Sequence, residues 1–214
     1  MNKQERFVIT ISRQFGTGGH EIGAELARRL GVKLLDKQII NEVASKFCVV
    51  EDAVEKIESR NPLWRDDFTQ FYRLYMAGME YDGQEQDQTS HKLFDAQAEA
   101  ICQIASQESC VIIGRSGFHI FRNHPYAMRI FFIADRKARV KRIMEKFALD
   151  EDAASMRIDK IDEARDTYTQ TVAGVSRYDA RNYDFVFNVT QFPTDLVAQF
   201  LADNIRKKYP FIVK

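Results

Sequence analysis

Near the start of the chain, an apolar run, a glycine-rich turn and an amphipathic helical pattern follow one another, and this order constrains the fold more than any other feature. Phe7–Ile11 is an apolar run typical of a buried strand, and Glu21–Leu30 repeats apolar residues at a helical period. The turn between them holds Gly16, Gly18 and Gly19. Successive backbone N–H groups and a helix N-terminus together form an anion site. The segment therefore predicts a phosphate-binding loop in an α/β protein.

The loop lacks the lysine of the usual phosphate-binding motif, G-x-x-x-x-G-K-[ST]. Aligned on Gly18, the chain has Arg13 at the first glycine, Gly19 at the lysine and His20 at the Ser/Thr. That lysine stabilises charge on the transferred phosphoryl group, so its loss should be severe unless another cation substitutes. The candidate cations are Arg13, Lys37 and Arg115.

Five short apolar runs without polar alternation predict buried parallel strands. They are Phe7–Ile11, Val32–Leu35, Cys110–Ile113, Arg129–Ile133 and Phe185–Val189. Helical patterns separate them, at Glu21–Leu30, Lys37–Phe47, Glu99–Ser106, Arg136–Phe147 and Thr194–Lys208. This alternation favours a doubly wound sheet.

The composition excludes some classes of partner. Lys plus Arg equals Asp plus Glu, at 31 each in 214 residues, so we expect no nucleic-acid or membrane partner. The three cysteines have no metal-ligand spacing, and no signal-peptide pattern or long apolar run is present. These features favour a cytoplasmic protein of one domain.

Two stretches interrupt the strand–helix rhythm. Residues 50–90 are rich in aromatics and then turn polar, which predicts a helical insertion with a mobile loop at Gly83–Gln88. The aromatic side chains of residues 64–81 suit helix packing better than base stacking, although two tyrosines suit either. The second stretch, residues 150–183, is dense in charge.

Five segments in this order and spacing resemble the cytidylate kinases, and more closely the cytidylate kinase-like family, which also carries a loop without lysine. The segments are Ile11–Gly19, Leu34–Asp36, Val111–Arg115, Asp162–Asp166 and Tyr183–Phe185. The resemblance implies a P-loop NTPase-type five-stranded parallel sheet flanked by helices. It implies a single kinase-like domain over 1–214, with core segments 1–49, 91–149 and 184–214, a helical acceptor-binding insertion at 50–90 and a lid at 150–183.

The same resemblance implies an ATP-dependent phosphotransferase that uses Mg²⁺ and transfers the γ-phosphoryl group to a nucleotide or another small acceptor. A homodimer is the expected assembly. ATP would bind at Gly16, Thr17, Gly18, Gly19, His20 and Glu21, and the catalytic cations would be Arg13, Arg115 and Arg165. The alternative is a catalytically degenerate module that binds a nucleotide or another anion.

Each of two carboxylates has two possible roles, one in ligand binding and one in stabilising a helix. Glu21 could hold Mg²⁺, or it could stabilise the first turn of its helix through the helix dipole. Asp36 could bind the acceptor, or it could cap the helix that starts at Lys37.

Arginines after the third and fourth strands suit anionic ligands. Arg115 follows the third strand, and Ser116 replaces the aspartate of the Gly-Arg-Asp sequence found in cytidylate kinases. Arg139 and Asp162 are expected to bind substrate, whereas Arg142 suits the surface. In the lid, Arg157 suits a solvated salt bridge better than a ligand contact, in contrast to Arg165.

Overall fold

The computed structural model describes residues 6–36 and 83–210. Five parallel strands form one sheet in the order β2-β3-β1-β4-β5. The predicted fold class is therefore confirmed. The predicted helix Lys37–Phe47, the cation Lys37 and the aromatics of residues 64–81 lie outside the described residues.

The strands and helices alternate along the described chain. The strands are β1 (Val8–Arg13), β2 (Lys33–Leu35), β3 (Cys110–Ile113), β4 (Ala127–Ile133) and β5 (Phe185–Asn188). The helices are α1 (Gly19–Leu30), α2 (Gly83–Gln107), α3 (Gly117–Ile120), α4 (Arg136–Phe147), α5 (Glu151–Ala173) and α6 (Thr194–Lys208), and a 3-10 turn lies at Ala180–Asn182.

Strand β1 lies at the centre of the sheet, between β3 and β4. Val8 is in register with Cys110 on one side and with Ala127 on the other. Its residues Ile9 and Ile11 are fully buried, which explains why the run shows no polar alternation. In open α/β sheets, ligands bind at the carboxyl ends of the strands where successive connections diverge. That point is the end of β1.

Both faces of the sheet are covered by helices. Helices α1 and α6 pack on one face, where Ile22 and Leu26 of α1 join Leu201 and Ile205 of α6 in the largest core cluster. Gly23 permits the close approach of α1, because a Cβ there would lie 2.7 Å from Ile113 Cδ1. Helix α2 covers the other face, where its apolar residues pack against β3.

Two local predictions were wrong. The loop expected at Gly83–Gln88 is the first part of helix α2. Its polar residues are mostly Gln and Glu, which have high helix propensity, so polarity alone misidentified a helix as a loop. Strand β5 is not buried either, since Phe185 is 39% and Val186 41% exposed. It is an edge strand that pairs only with β4 among the described strands.

In the described ranges, none of the helices has the length and apolar character needed to cross a membrane.

Candidate active site

The glycine loop lies at the carboxyl end of β1 and leads into α1. Gly16 and Gly18 have positive φ angles of 86° and 76°, and Gly18 caps the helix N-terminus. Residues 13–21 of this loop line a cavity of about 220 Å³ together with side chains of α4 and α5. That volume is below the roughly 300–1,000 Å³ of typical small-molecule sites, and it suits phosphate groups.

Gly19 stands where the motif normally has its lysine, and the side chain of Arg13, which stands at the first glycine of the motif, packs against it. A Cβ on Gly19 would lie 2.9 Å from Arg13 Cβ and 3.0 Å from Arg13 Cγ. The Arg13 side chain continues past Gly19 to Gly114, where a Cβ would lie 2.5 Å from Arg13 Nη1. A lysine at position 19 would therefore overpack against Arg13 unless one of the two side chains shifts. The two differences from the motif are therefore coupled: the loop lacks a cation at residue 19 and has one at residue 13 instead.

Arginines from four segments meet beside the loop, and we call them the arginine cluster: Arg13, Arg115, Arg165 and Arg177. Arg165 Nη1 donates to the Arg13 carbonyl oxygen at 3.3 Å, and Arg177 Nη2 donates to the same oxygen. Arg177 is only 4% exposed, and its Nη1 has no hydrogen-bond partner among the described residues. A buried guanidinium with an unused donor favours an anion beside it.

The cluster repels itself in the absence of an anion. Burial, followed by the charges of Arg177 and Arg115, lowers the pKa of Arg13 to about 10. Burial also places the pKa of Arg165 well below its ordinary value, with further lowering from Arg13 and Arg177. Nearby like charges and desolvation both disfavour the charged form. An anion bound in the cluster would offset the repulsion between the arginines and favour their charged forms.

Arg115 lies in a strained turn at the end of β3. Gly114, Arg115 and Ser116 have positive φ angles of 77°, 54° and 49° in succession. A residue other than glycine held in this region costs on the order of 1–3 kcal/mol, and such strain concentrates at functional sites. Helix α5 supports the turn, because the Tyr168 hydroxyl hydrogen-bonds with Arg115 and burial raises the pKa of Tyr168.

Asp162 joins the glycine loop to α4 and α5. Its Oδ1 accepts from the backbone N–H of Phe15 at 2.8 Å, and its Oδ2 accepts from Arg139 Nη1 at 2.7 Å. Arg139 also donates to the Phe15 carbonyl oxygen at 3.2 Å. Both side chains are largely buried. The pair holds the loop in place, and a direct role of either residue in substrate binding stays a prediction.

Helix α4 presents a basic face to the loop. Arg142 Nη1 donates to the Gly16 carbonyl oxygen at 2.6 Å, so the expectation that Arg142 is only a surface residue was wrong. One turn further, Lys146 donates to Glu21 Oε1 at 2.7 Å. Burial would raise the pKa of Glu21, but the hydrogen bond and the charge of Lys146 outweigh it and lower the pKa. The spacing of 139, 142 and 146 is a helical period, and this signal was available in the sequence.

His20 and Asp36 approach each other across the gap between α1 and β2. His20 Nε2 lies 3.6 Å from Asp36 Oδ2, which is longer than a hydrogen bond. His20 is 53% and Asp36 29% exposed. His20 and Glu21, although adjacent, thus contact different elements: His20 approaches the end of β2, and Glu21 contacts α4.

Most sequence-predicted residues come together at this one edge of the sheet. The loop residues, Arg13 and Arg165 line the cavity. Arg115 lies at the same edge as a member of the arginine cluster. Arg139 and Asp162 hold the loop through hydrogen bonds to Phe15. Sequence reasoning missed Arg177, which comes from the irregular segment after α5 and carries no motif or period that could have marked it.

The model of the cytidylate kinase-like family matches residues 8–191. No curated protein matches the chain.

Solved structures with the same fold include an uncharacterized protein from Eubacterium ventriosum ATCC 27560, with 23% identity, a TM-score of 0.67 and coverage of 95% of this chain and 99% of the other. TT1252 from Thermus thermophilus has 17% identity, a TM-score of 0.57 and coverage of 94% and 97%. A dephospho-CoA kinase from Campylobacter jejuni has 16% identity, a TM-score of 0.50 and coverage of 95% and 99%. At these identities the likeness shows the fold alone.

Proposed function

The chain belongs to the cytidylate kinase-like family, and from that premise we propose that it is an ATP-dependent phosphotransferase in which Arg13 replaces the missing loop lysine. The acceptor we propose is a small molecule that bears a phosphate group, such as a nucleotide. A kinase-like fold is common to its structural relatives, one of which is a dephospho-CoA kinase.

The observation that carries the proposal is the presence of a cation at Arg13 together with its absence at Gly19. The Arg13 side chain uses the space that a residue at position 19 would need. It lines the cavity beside the loop, so the loop retains a cation near the phosphates. Loss of function alone would account for the missing lysine, but it would not account for an arginine whose side chain fills the space next to Gly19.

ATP would bind with its phosphates at the N-terminus of α1. The positive φ angles of Gly16 and Gly18 allow close approach of the backbone, and the helix N-terminus favours negative charge. Arg142, on the basic face of α4, borders the same cavity. These groups fit a triphosphate in charge and in position.

The acceptor would bind on the side of Arg115 and Arg177. An oxygen of its phosphate attacks the γ-phosphorus of ATP, the bond from that phosphorus to the β–γ bridging oxygen breaks, and ADP leaves with the electron pair. An ionised phosphate oxygen needs no general base. The arginine cluster would neutralise the charge that develops, and positioning with electrostatic stabilisation is the main contribution an enzyme makes to this reaction.

The family implies a divalent cation with ATP, which would neutralise charge on the phosphates. The donors fit Mg²⁺ only in part. Asp36 offers a hard oxygen, but Glu21 already pairs with Lys146, and His20 occupies the position of the usual hydroxyl ligand.

One observation favours the alternative, a degenerate module that binds nucleotides without turnover. Strand β3 is followed by Gly114-Arg115-Ser116, a sequence that has no carboxylate for a cation at this end of the strand. In this alternative, the arginine cluster would hold an anion without transferring a phosphoryl group.

Calorimetric titration with ATP and a divalent cation tests the site. Wild type should bind, and Arg13→Met should lose most of the affinity, by about two orders of magnitude if a buried charge-assisted contact worth ~3 kcal/mol is lost. Arg28→Met is the matched control, because Arg28 is 71% exposed on α1 and pairs with Glu25. Equal binding by wild type and Arg13→Met would refute the role of Arg13.

A coupled assay for ADP release, with nucleoside monophosphates as acceptors, separates the kinase from the module. ADP release that depends on the acceptor supports the kinase. ATP binding without ADP release for any phosphorylated acceptor supports the module. No binding of ATP refutes both.

The assembly and the location remain proposals. We propose a cytoplasmic homodimer whose partners are the nucleotide and the small acceptor.

A further inference from the structure

The residue pair His20 and Asp36 is not needed by the phosphoryl-transfer role of the arginine cluster. His20 is in the first turn of α1 and borders the phosphate cavity, and Asp36 directly follows β2. The pair therefore joins the phosphate loop to the edge of the sheet at which the acceptor would bind.

The geometry fits two ligands of one cation. Two ligand atoms about 2.1 Å from a tetrahedral or octahedral cation are about 3.0–3.4 Å apart. His20 Nε2 and Asp36 Oδ2 are 3.6 Å apart, so a small side-chain rotation brings them into range. Both residues retain access to solvent, which a metal ion needs to enter.

The donor types determine which cation fits. An imidazole nitrogen suits first-row transition metals, whereas Mg²⁺ prefers oxygen ligands. The usual loop offers a Ser/Thr hydroxyl at this position, and this chain offers imidazole. Glu21, the other candidate in the same turn, is held by Lys146 at 2.7 Å.

The described residues contain no group of three or more His, Cys, Asp or Glu side chains able to hold a metal. Two protein ligands bind a cation only weakly by themselves. Phosphate oxygens of ATP at the adjacent loop would complete the coordination shell, as substrate phosphates do in other phosphotransferases.

We propose that His20 and Asp36 form a binding site for a first-row divalent transition metal, assembled only when the nucleotide supplies the remaining oxygen ligands. This inference rests on the proposed binding of ATP at the loop. It predicts that the protein prefers Mn²⁺ to Mg²⁺ with ATP and that His20 is the cause of the preference.

Pulsed electron paramagnetic resonance of Mn²⁺ tests the site directly, with protein labelled with ¹⁵N and unlabelled ATP. The label identifies a nitrogen that belongs to the protein and excludes the adenine nitrogens. Wild type with ATP should show coupling of Mn²⁺ to ¹⁵N. His20→Ser, which restores the usual hydroxyl, should lose that coupling and should bind Mn²⁺ in the presence of ATP at least about tenfold more weakly.

Asp36→Asn should weaken Mn²⁺ binding while the ¹⁵N coupling of the remaining bound metal persists. His119→Ser is the control, because His119 on α3 does not border the cavity, and it should behave as wild type. Without ATP, wild type should show neither tight Mn²⁺ binding nor coupling.

The outcomes separate this inference from the proposed function. If ATP binds but Mn²⁺ shows no ¹⁵N coupling, or His20→Ser binds Mn²⁺ as wild type does, the metal site is refuted and the nucleotide site stands. Coupling of equal strength without ATP would refute assembly by the nucleotide. If ATP does not bind under any metal condition, the proposed function itself is refuted.

Discussion

The side chain of Arg13 fills the space that a side chain at Gly19 would need: a Cβ at residue 19 would lie 2.9 Å from Arg13 Cβ. Phe132 closes the same space from β4, where its Cδ2 would be 3.2 Å from that Cβ. A cation on residue 13 or on residue 19 therefore fits the loop, whereas cations on both overpack it.

Restoring the lysine alone should damage the protein. Gly19→Lys overpacks against Arg13 and should lower the free energy of unfolding by about 1–3 kcal/mol. The double variant Arg13→Gly/Gly19→Lys removes the clash and should recover part of this loss. Urea denaturation of both single variants and the double variant gives the coupling energy, and additive effects would show that the two positions are independent.

The arginine cluster should reduce stability in the absence of ligand. Arg165→Met removes a buried charge on which burial and the repulsion from Arg13 and Arg177 outweigh the attraction of Asp162, so its effect on ligand-free protein should range from neutral to a stabilisation of about 1–4 kcal/mol. The same variant should lose the rise in Tm that ATP causes in wild type. Thermal unfolding with and without ATP measures both effects. Arg181→Met, at a side chain that is 90% exposed, should change neither, and an equal ATP-induced rise in Arg165→Met would contradict this account.

Asp162 should be among the most sensitive residues of the site. Asp162→Asn leaves Arg139 buried without its counter-charge, at a cost of about 3–5 kcal/mol. It also loosens the loop at Phe15, so ATP affinity should fall with stability. The double variant Asp162→Asn/Arg139→Met removes the isolated charge and should be more stable than Asp162→Asn alone. Chemical denaturation measures this, and a double variant less stable than the single one would contradict it.

The ion pair between Glu21 and Lys146 should make stability depend on pH in the acid range. The pKa of Glu21 in the folded protein is lowered below its ordinary 4.5, so the unfolded chain binds the proton more readily. The contribution is therefore fully present above the ordinary pKa and is lost as pH falls through the lowered value. Because both side chains are about half exposed, it should be at most about 1 kcal/mol.

Glu21→Gln is the variant for this test. It should be less stable than wild type at neutral pH and equal to it once the pH is below the pKa of Glu21 in the folded protein. Urea denaturation over this range measures the difference. A difference that does not change with pH would show that the ion pair does not stabilise the fold.

The sequence was enough to predict the sheet, because the central strands are buried on both faces and so form nearly continuous apolar runs. Strand β5 is apolar as well, but its composition does not reveal that it lies at an edge. The start of α2 was missed because glutamine and glutamate favour helices and also occur in polar loops.

For the site, sequence patterns were sufficient only for residues that are placed by local structure. The loop glycines follow a motif, and Arg115 directly follows a strand. Arg177 reaches the cluster through tertiary folding of an irregular segment, which leaves no trace in the spacing of residues. The steric conflict between Arg13 and a side chain at residue 19 depends on the direction of one side chain, and that direction is a property of packing against Gly114 and Phe132.

The space shared by residues 13 and 19 also restricts the order in which such a loop could arise by single substitutions. Starting from a loop with glycine at 13 and lysine at 19, an arginine gained first would meet the lysine stem and impair folding. Loss of the lysine first would leave a folded protein without its cation at the loop. The second order passes through an intermediate without the steric conflict, so it is the order that costs the fold less stability.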